Sequence, residues 1–447
     1  MKEWNADELR LALSALCRDG KIRQWAVEED ELEREERYFL AEPGNAIGLD
    51  QSRQVKEVAV FAKVELEKGQ KLGSARLAFY PRFDLQKQIN DLLEAARLGE
   101  EDLWSYPERA ESNEAKTTTN AQTLQAEAEV LSSKLREGVA AEKRATFNSS
   151  ELFLTRRRKV LSLSNGFRGK SASQEIYAEV CFSKESAERK QAEEFLVKKS
   201  GVQSDQIDFA KMCSESAEFS AKLLEARSPA AGKYFALFRS EDLCMLFNDV
   251  LRHLDSASRY LNLPFIERGG DLIPGFQGSD FRLWLDPETS GSFGAKKFDD
   301  YGDAQRKILL VDKNKVAAHM TNRKVANFLS TEVTSSAGAV VVEALKSSTE
   351  DELRKSEPRV LEVLQFSALF SNASDLTFSS EIRLARLHEE GKVTYIKGGS
   401  LAGNFRENFQ GVRWSNRTVT ENLAEMNGPQ SYIGPSMALL SNVSISA

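Results

Sequence analysis

Histidine is the scarcest chemistry-bearing residue in this chain: His253, His319 and His388 are the only three among 447 residues. No two are close in sequence, and no HExxH occurs. Leu387-His388-Glu389 sets a histidine beside a glutamate, but no second histidine follows four or five residues on. Zinc takes three or four N, S or O ligands, so a site could only be assembled from distant residues. Three unrelated histidines is the simpler reading. Cys17, Cys181, Cys213 and Cys244 form no CxxC pair and read as buried free thiols of a reducing compartment.

Three other segments suggest chemistry and have plainer explanations. Gly166-Phe167-Arg168-Gly169-Lys170-Ser171 ends like a phosphate-binding loop, but Ser164 stands where its first glycine belongs. Such a loop must open into a helix. Here Ile176, Ala178, Val180 and Phe182 alternate, which predicts a strand and hence a hairpin-like turn. Gly398-Gly399-Ser400-Leu401-Ala402 loosely resembles a nucleophile elbow, yet no histidine follows His388 to activate the serine. Phe298-Asp299-Asp300-Tyr301-Gly302 carries two adjacent carboxylates. Neighbours on a strand point to opposite faces and share a proton poorly; turn chemistry is the expected role.

The elements that must position these residues belong to a chain with 61 Lys plus Arg against 68 Asp plus Glu, a net charge of −7. An acidic balance argues against nucleic acid as partner. The basic run Arg156-Arg157-Arg158-Lys159 lies in an alternating segment and reads as a solvated strand face. The longest apolar stretch, Ala337 to Val342, is too short to span a bilayer. Met1-Lys2-Glu3-Trp4-Asn5 leads into acidic residues and lacks the form of a signal peptide, so the cytoplasm is expected.

Asn5 with Glu8 predicts a capped first helix, stopped by Gly20. Strands are expected from Arg37 to Tyr80, then a helix capped by Asp84 and ended by Gly99. Residues 105–125 are polar and read as a loop into a helix near 121–143. Strands near 151–163 and 174–183 precede helices near 186–199, 205–227 and 240–262. The remainder is rich in Gly, Ser and short alternating runs. The expected fold is α+β: an N-terminal helix-and-sheet region over 1–230, then a β-rich domain over 231–447 opened by the helix at 240–262.

Several of these segments, in order, resemble the TldD/PmbA family, whose members are also called TldE and "modulator of DNA gyrase". Phe298-Asp299-Asp300-Tyr301-Gly302 resembles the family's Phe-Asp-Asp-Glu-Gly segment, with Tyr301 replacing the usual glutamate. Leu309 to Val316 resembles the strand-turn-strand behind it. Gly399-Ser400-Leu401-Ala402-Gly403-Asn404 resembles the family's closing glycine turn, and Gly434-Pro435-Ser436 leads into its last strand. Asp375 to Ser379 resembles a family Gly-Asp-Phe-Ser stretch with an insertion, and Ser164 to Gly169 resembles the Asn-Ser-x-Gly turn of its middle region.

The resemblance implies one of two branches. TldD-like chains are zinc peptidases with a His-Glu-x-x-x-His helix and a cysteine near the C-terminus. TldE-like chains lack these and pair with TldD to degrade unstructured peptides. Laid on that motif, Asn248 stands at the first histidine, Asp249 at the glutamate and His253 at the second histidine. Residues i and i+5 lie ~140° apart on a regular helix. Arg252, a good helix former, keeps the helix regular where the family motif carries a glycine. No cysteine follows Cys244. The resemblance therefore implies a TldE-like chain with no metal or catalytic residue of its own. Zinc would sit on a TldD-like partner in a heterodimer, and Asp299, Asp300, Gly302, Gly403 and Asn404 would be family turns. A homodimer, a free-standing metallopeptidase using His253, Asp249 and a carboxylate such as Glu425, and a gyrase-modulating binding module are the alternatives. Exposed strand edges would grip extended peptides through backbone pairing.

Overall fold

The computed structural model describes residues 4–43, 46–108, 123–188, 190–425 and 428–446. Asn5 opens α1 (Ala6–Arg18) with the expected capping box: its side chain accepts from the Glu8 N–H, and Glu8 reaches back to the Asn5 N–H. β1 (Gln24–Glu42) and β2 (Ala46–Lys68) form a long antiparallel hairpin, and β3 (Lys71–Phe79) returns along Val60–Lys68. α2 (Leu85–Leu98), capped by Asp84, leads to β4 (Glu101–Asp102). After α3 (Leu124–Ala141) come three antiparallel strands, β5 (Thr146–Leu163), β6 (Arg168–Ser186) and β7 (Gln191–Gly201), and then α4 (Phe209–Glu225).

The second half contains β8 (Gly232–Arg239), α5 (Ser240–His253), α6 (Ser256–Tyr260), β9 (Phe281–Asp286), β10 (Ile308–Asp312), β11 (Lys315–Val316) and α7 (Arg323–Leu329). It continues through β12 (Ala339–Ala344), β13 (Ser347–Ser348), α8 (Glu350–Lys355), β14 (Arg359–Phe366), β15 (Phe370–Asn372), β16 (Thr377–Glu389) and β17 (Lys392–Ile396). β18 (Ser400–Asn404), α9 (Phe405–Asn408), β19 (Arg413–Ser415), β20 (Thr418–Glu425), β21 (Gly428–Pro435) and β22 (Met437–Ser446) complete it.

Two sheets organise these strands. One has 13 strands among the described residues, in the order β11-β10-β9-β12-β21-β20-β7-β6-β5-β1-β2-β3-β4. Its halves join where Asn422 of β20 pairs with Ser200 of β7. In the other, β8 pairs with both β14 and β22, so β8, β22, β18, β16 and β14 close into a ring. Closure removes open edges from those strands. Phe238 packs edge-on against Phe366 and Phe378, bridging three of them.

Helices cover one face of the N-terminal strands. α1 and α2 bury Leu9, Leu13, Ile89 and Leu92 against Val27, Val60 and Val64. α3 and α4 bury Leu131, Leu135, Phe209 and Met212 against Phe39, Leu152, Ile176 and Val180. Val27 and Phe39 lie an even number of residues apart on β1, so both clusters share a face. The basic run on β5 is opposed by the acidic run of β1: Arg157 meets Asp30 at 3.4 Å, Arg158 meets Glu31 at 3.6 Å, and Lys159 meets Glu28 at 2.8 Å. Arg156 turns inward to Glu127 at 2.9 Å.

Two expected helices are corrected. Residues 191–201 form β7, not part of a helix over 186–199. Phe195 and Val197 face the core in alternation while the whole segment pairs with β6. The helix expected over 240–262 is two helices: α5 stops at His253, and the Asp255 side chain caps α6 by accepting from the Ala257 N–H at 2.8 Å. The strands expected from Arg37 begin earlier, at Gln24. Most of the polar loop expected over 105–125 lies outside the described residues.

Candidate functional site

α5 is positioned by its aromatic side. Phe247 is fully buried and meets Phe281 of β9, Phe405 and Phe409 around α9, Trp414 of β19 and Tyr432 of β21. Removing such a side chain typically costs ~3–5 kcal/mol. This packing fixes the rotation of the helix and hence the directions of Asn248, Asp249 and His253. The helix runs unbroken through all three.

Two of the three have local partners, and one does not. The Asn248 amide donates to the Cys244 carbonyl at 2.7 Å, one turn back. Asp249 leaves a buried Oδ2 without a hydrogen-bond partner. His253 is buried, and both ring nitrogens are used. Nε2 lies 2.6 Å from the Ala373 carbonyl, and Nδ1 lies 3.3 Å from an Arg406 guanidinium nitrogen. A carbonyl only accepts and a guanidinium only donates. Nε2 therefore carries the proton, and the Nδ1 lone pair faces Arg406. Burial, then the Arg406 charge, hold the His253 pKa below its ordinary 6.5, although the Ala373 carbonyl opposes them.

These residues do not fit a zinc site. The one free lone pair of His253 faces a cation, and Asp249 offers a single orphaned oxygen where three or four donors are required. Among the described residues no three His, Cys, Asp or Glu side chains converge in a metal-holding group. Glu425 ends β20 opposite Gly428, and its side chain is outside the described residues. The other histidines are apart: His319 bonds the Ile266 carbonyl at 2.9 Å, and His388 bonds the buried Glu362 at 3.0 Å. Burial pushes Glu362 up, but hydrogen bonds from His388 and Arg354 prevail and hold it at about 2.

Two residues of the expected closing turn seat the residue that reaches α5. Gly403 and Asn404 end β18, and the Asn404 side chain caps α9, accepting from the Arg406 N–H at 2.9 Å. Its amide also donates to the Asp375 carbonyl at 2.8 Å. Asn404 thus seats the residue that engages His253. A Cβ on Gly403 would lie 2.4 Å from the Phe378 ring, so close approach demands glycine here.

Asp299, Asp300 and Gly302 sit elsewhere, as a turn. Asp299 Oδ1 accepts from the backbone N–H groups of Tyr301 and Asp303 at 2.9 and 3.0 Å, the expected turn chemistry. Its Oδ2 is buried without a partner, and burial pushes its pKa up to about 6. Phe298 packs on Phe167 in the β5–β6 turn, and Tyr301 packs on Trp104. A Cβ on Gly169 would lie 2.5 Å from the Phe298 ring. The glycine that resembled a phosphate-binding loop makes room for an aromatic ring inside a strand hairpin. Ser400 likewise opens a strand rather than a helix.

Sequence reasoning missed an ionic cluster where the two halves of the large sheet meet. Lys199 of β7 lies 2.6 Å from Glu241 of α5 and 3.0 Å from Glu421 of β20. Ser240 donates to the second Glu421 oxygen at 3.0 Å. Burial disfavours the Lys199 charge, but Glu241 and Glu421 outweigh it and keep the lysine protonated. Burial, then repulsion from Glu241, raise Glu421. Asp242, beside them, is pushed up to about 7 by burial first and Glu241 second. The cluster joins residues from three distant segments, and no local motif announces it.

A family model described as the PmbA/TldA metallopeptidase C-terminal domain matches residues 276–447. Three solved structures share the fold. TldE from Thermococcus kodakarensis is 17% identical, with a TM-score of 0.77 over 98% of this chain and 100% of that one. A proposed DNA gyrase modulator from Thermotoga maritima is 15% identical, with a TM-score of 0.79 over 99% and 100%. Another from Bacteroides thetaiotaomicron is 15% identical, with a TM-score of 0.77 over 99% and 98%. No match was found among curated proteins. Residues 276–447 match the PmbA/TldA metallopeptidase C-terminal domain, and the chain as a whole shares the fold of these three structures.

Proposed function

We propose that this chain is the non-catalytic, TldE-like subunit of a TldD/TldE-type zinc metallopeptidase that degrades unfolded peptides in the cytoplasm. The observation that carries this reading is the pairing of Arg406 with His253 Nδ1. A cation stands where a metal would have to approach the one histidine of the motif position. Beside it Asp249 offers one unpartnered oxygen, and the Asn248 amide is turned to the Cys244 carbonyl, short of the three or four donors zinc takes. In this reading the zinc and its activated water belong to a TldD-like partner. This chain closes the chamber and helps hold extended peptides.

The reading is tested by reconstitution. The chain alone should not cleave an unfolded peptide, and addition of a TldD-like subunit carrying the full His-Glu-x-x-x-His motif should yield activity. Variants of that subunit's motif should abolish cleavage, whereas His253→Ala in this chain should not. Cleavage by this chain alone, lost in His253→Ala, would overturn the proposal.

A further inference from the structure

The helices α1 to α4 pack on the face of the N-terminal sheet that carries Val27 and Phe39. The side chains that alternate with these point the other way. On that second face Glu36 and Tyr38 of β1, Glu151 and Phe153 of β5, and Tyr177 and Glu179 of β6 form a block three strands wide. One row sets Glu36 beside Phe153 and Phe153 beside Tyr177; the next sets Tyr38 beside Glu151 and Glu151 beside Glu179. The rings are continuous: Tyr38 meets Phe153 edge-on at 5.3 Å, and Phe153 stacks on Tyr177 at 5.7 Å. All three are half-buried, and none belongs to the hydrophobic clusters under the helices.

The carboxylates among these rings are short of cations. Glu151 and Glu179 are direct cross-strand partners, and like charges so placed repel. Among the described residues neither has a basic group within ion-pair distance. Lys198, which opposes Glu179 on β7, is exposed and stops short of it. The Tyr177 hydroxyl donates to Glu179 at 2.5 Å. Of the three carboxylates Glu36 alone reaches cations, Arg34 at 3.5 Å and Arg53 at 4.0 Å. Burial first, then Glu179, push the Glu151 pKa up although Lys198 opposes them, as a carboxylate beside a like charge should behave.

We propose that this block binds the arginine and lysine side chains of an extended basic peptide. A cation placed against the ring row gains the attraction of the π systems and compensates the opposed carboxylates of Glu151 and Glu179. A guanidinium suits both, because it stacks on rings and pairs with carboxylates. Charge complementarity selects this occupant: an acidic segment would meet three carboxylates, and a neutral one would leave the opposed pair uncompensated. Side chains two apart on an extended chain are ~7 Å apart, and β1 to β6 spans ~10 Å, so a peptide crossing the strands sets two basic residues on the block. The inference rests on the proposed role in holding extended peptides and gives that hold a preference for basic segments.

The test is fluorescence anisotropy on the full chain alone, with a labelled unstructured peptide of Gly, Ser and Arg. The same peptide with Gln in place of Arg is the comparison. The arginine peptide should bind ~10-fold tighter or more. Phe153→Ala should weaken it ~5-fold. Glu151→Gln should weaken it ~3-fold while making the chain itself more resistant to urea, since it relieves the opposed pair, and no folding defect does both. Glu94→Gln, on α2 at the helix-covered face and with its side chain 70% exposed, should leave the affinity unchanged. Equal affinity for the two peptides overturns the proposal. So does indifference to Phe153→Ala and Glu151→Gln, or an equal loss in Glu94→Gln, which would mean attraction to an acidic chain at large. Binding is read without a metallopeptidase subunit, so the outcomes separate. Reconstituted cleavage without this binding overturns the inference alone, and binding without reconstituted cleavage overturns only the proposed function.

Discussion

Arg406 donates to Nδ1 of His253 across 3.3 Å, and the carbonyl of Ala373 receives the proton on Nε2 from 2.6 Å. The two contacts fix one tautomer and commit both nitrogens. Asn404 secures the arrangement by capping the short helix that carries Arg406. A histidine that would be the natural candidate ligand is instead a link between α5, the turn after β15 and α9.

This link makes stability sensitive to pH in a definite direction. The folded His253 titrates below 6.5 because burial and Arg406 disfavour its charged form. Below 6.5 the unfolded chain therefore binds the proton more readily. The stability it contributes is fully present above pH 6.5 and is lost as pH falls through the lower folded value. Thermal melts from pH 7.5 to pH 5 should show a steeper loss for the parent than for His253→Gln. The extra slope should not exceed ~1.4 kcal/mol per pH unit, the limit for one proton. Parallel melts would contradict the assignment.

The Lys199 cluster should behave as a structural tie between the halves of the large sheet. Lys199→Met leaves Glu241 and Glu421 facing each other without a counter-ion. Glu241 is 44% exposed and well screened, so the cost falls mainly on Glu421, at 9%. A loss of ~2–3 kcal/mol at pH 7.5 is expected in urea denaturation. The loss should shrink toward pH 5 as the carboxylates take up protons. Adding Glu421→Gln should restore part of it, and a variant as stable as the parent would remove the tie from the account.

Asp299 offers the opposite sign. Its folded pKa of about 6 exceeds the ordinary 3.8 because burial disfavours the charge and Oδ2 has no partner. The folded chain thus holds this proton more tightly, and stability declines as pH rises from 3.8 through about 6. Asp299→Asn keeps an oxygen for the Tyr301 and Asp303 amides and removes the charge. It should raise stability at pH 8 by up to ~2 kcal/mol and leave it unchanged at pH 4. A destabilised Asp299→Asn at pH 8 would mean that the carboxylate charge has a partner in solution.

What was legible in the sequence was local. Asn5 with Glu8, Asp84, and the turn at Asn165 and Gly166 specify caps and a hairpin through neighbours within a few residues, and the structure bears them out. That Asn248, Asp249 and His253 are the positions laid on the family's metal motif is a reading of residue type alone, which the proposed function carries forward. The segment 191–201 was not, since its Glu, Lys, Gln and Ala favour a helix and only pairing with β6 makes it a strand. Arg406 opposite His253, and Lys199 opposite Glu421, join residues far apart in the chain. No periodicity foretells them.

The central claim is that this chain holds no zinc of its own, and elemental mass spectrometry on protein purified without chelator tests it most directly. The account predicts a stoichiometry near zero for the chain alone, unchanged in Arg406→Lys and in His253→Ala. About one zinc per chain, lost in His253→Ala, would contradict it and make the chain a metalloenzyme in its own right.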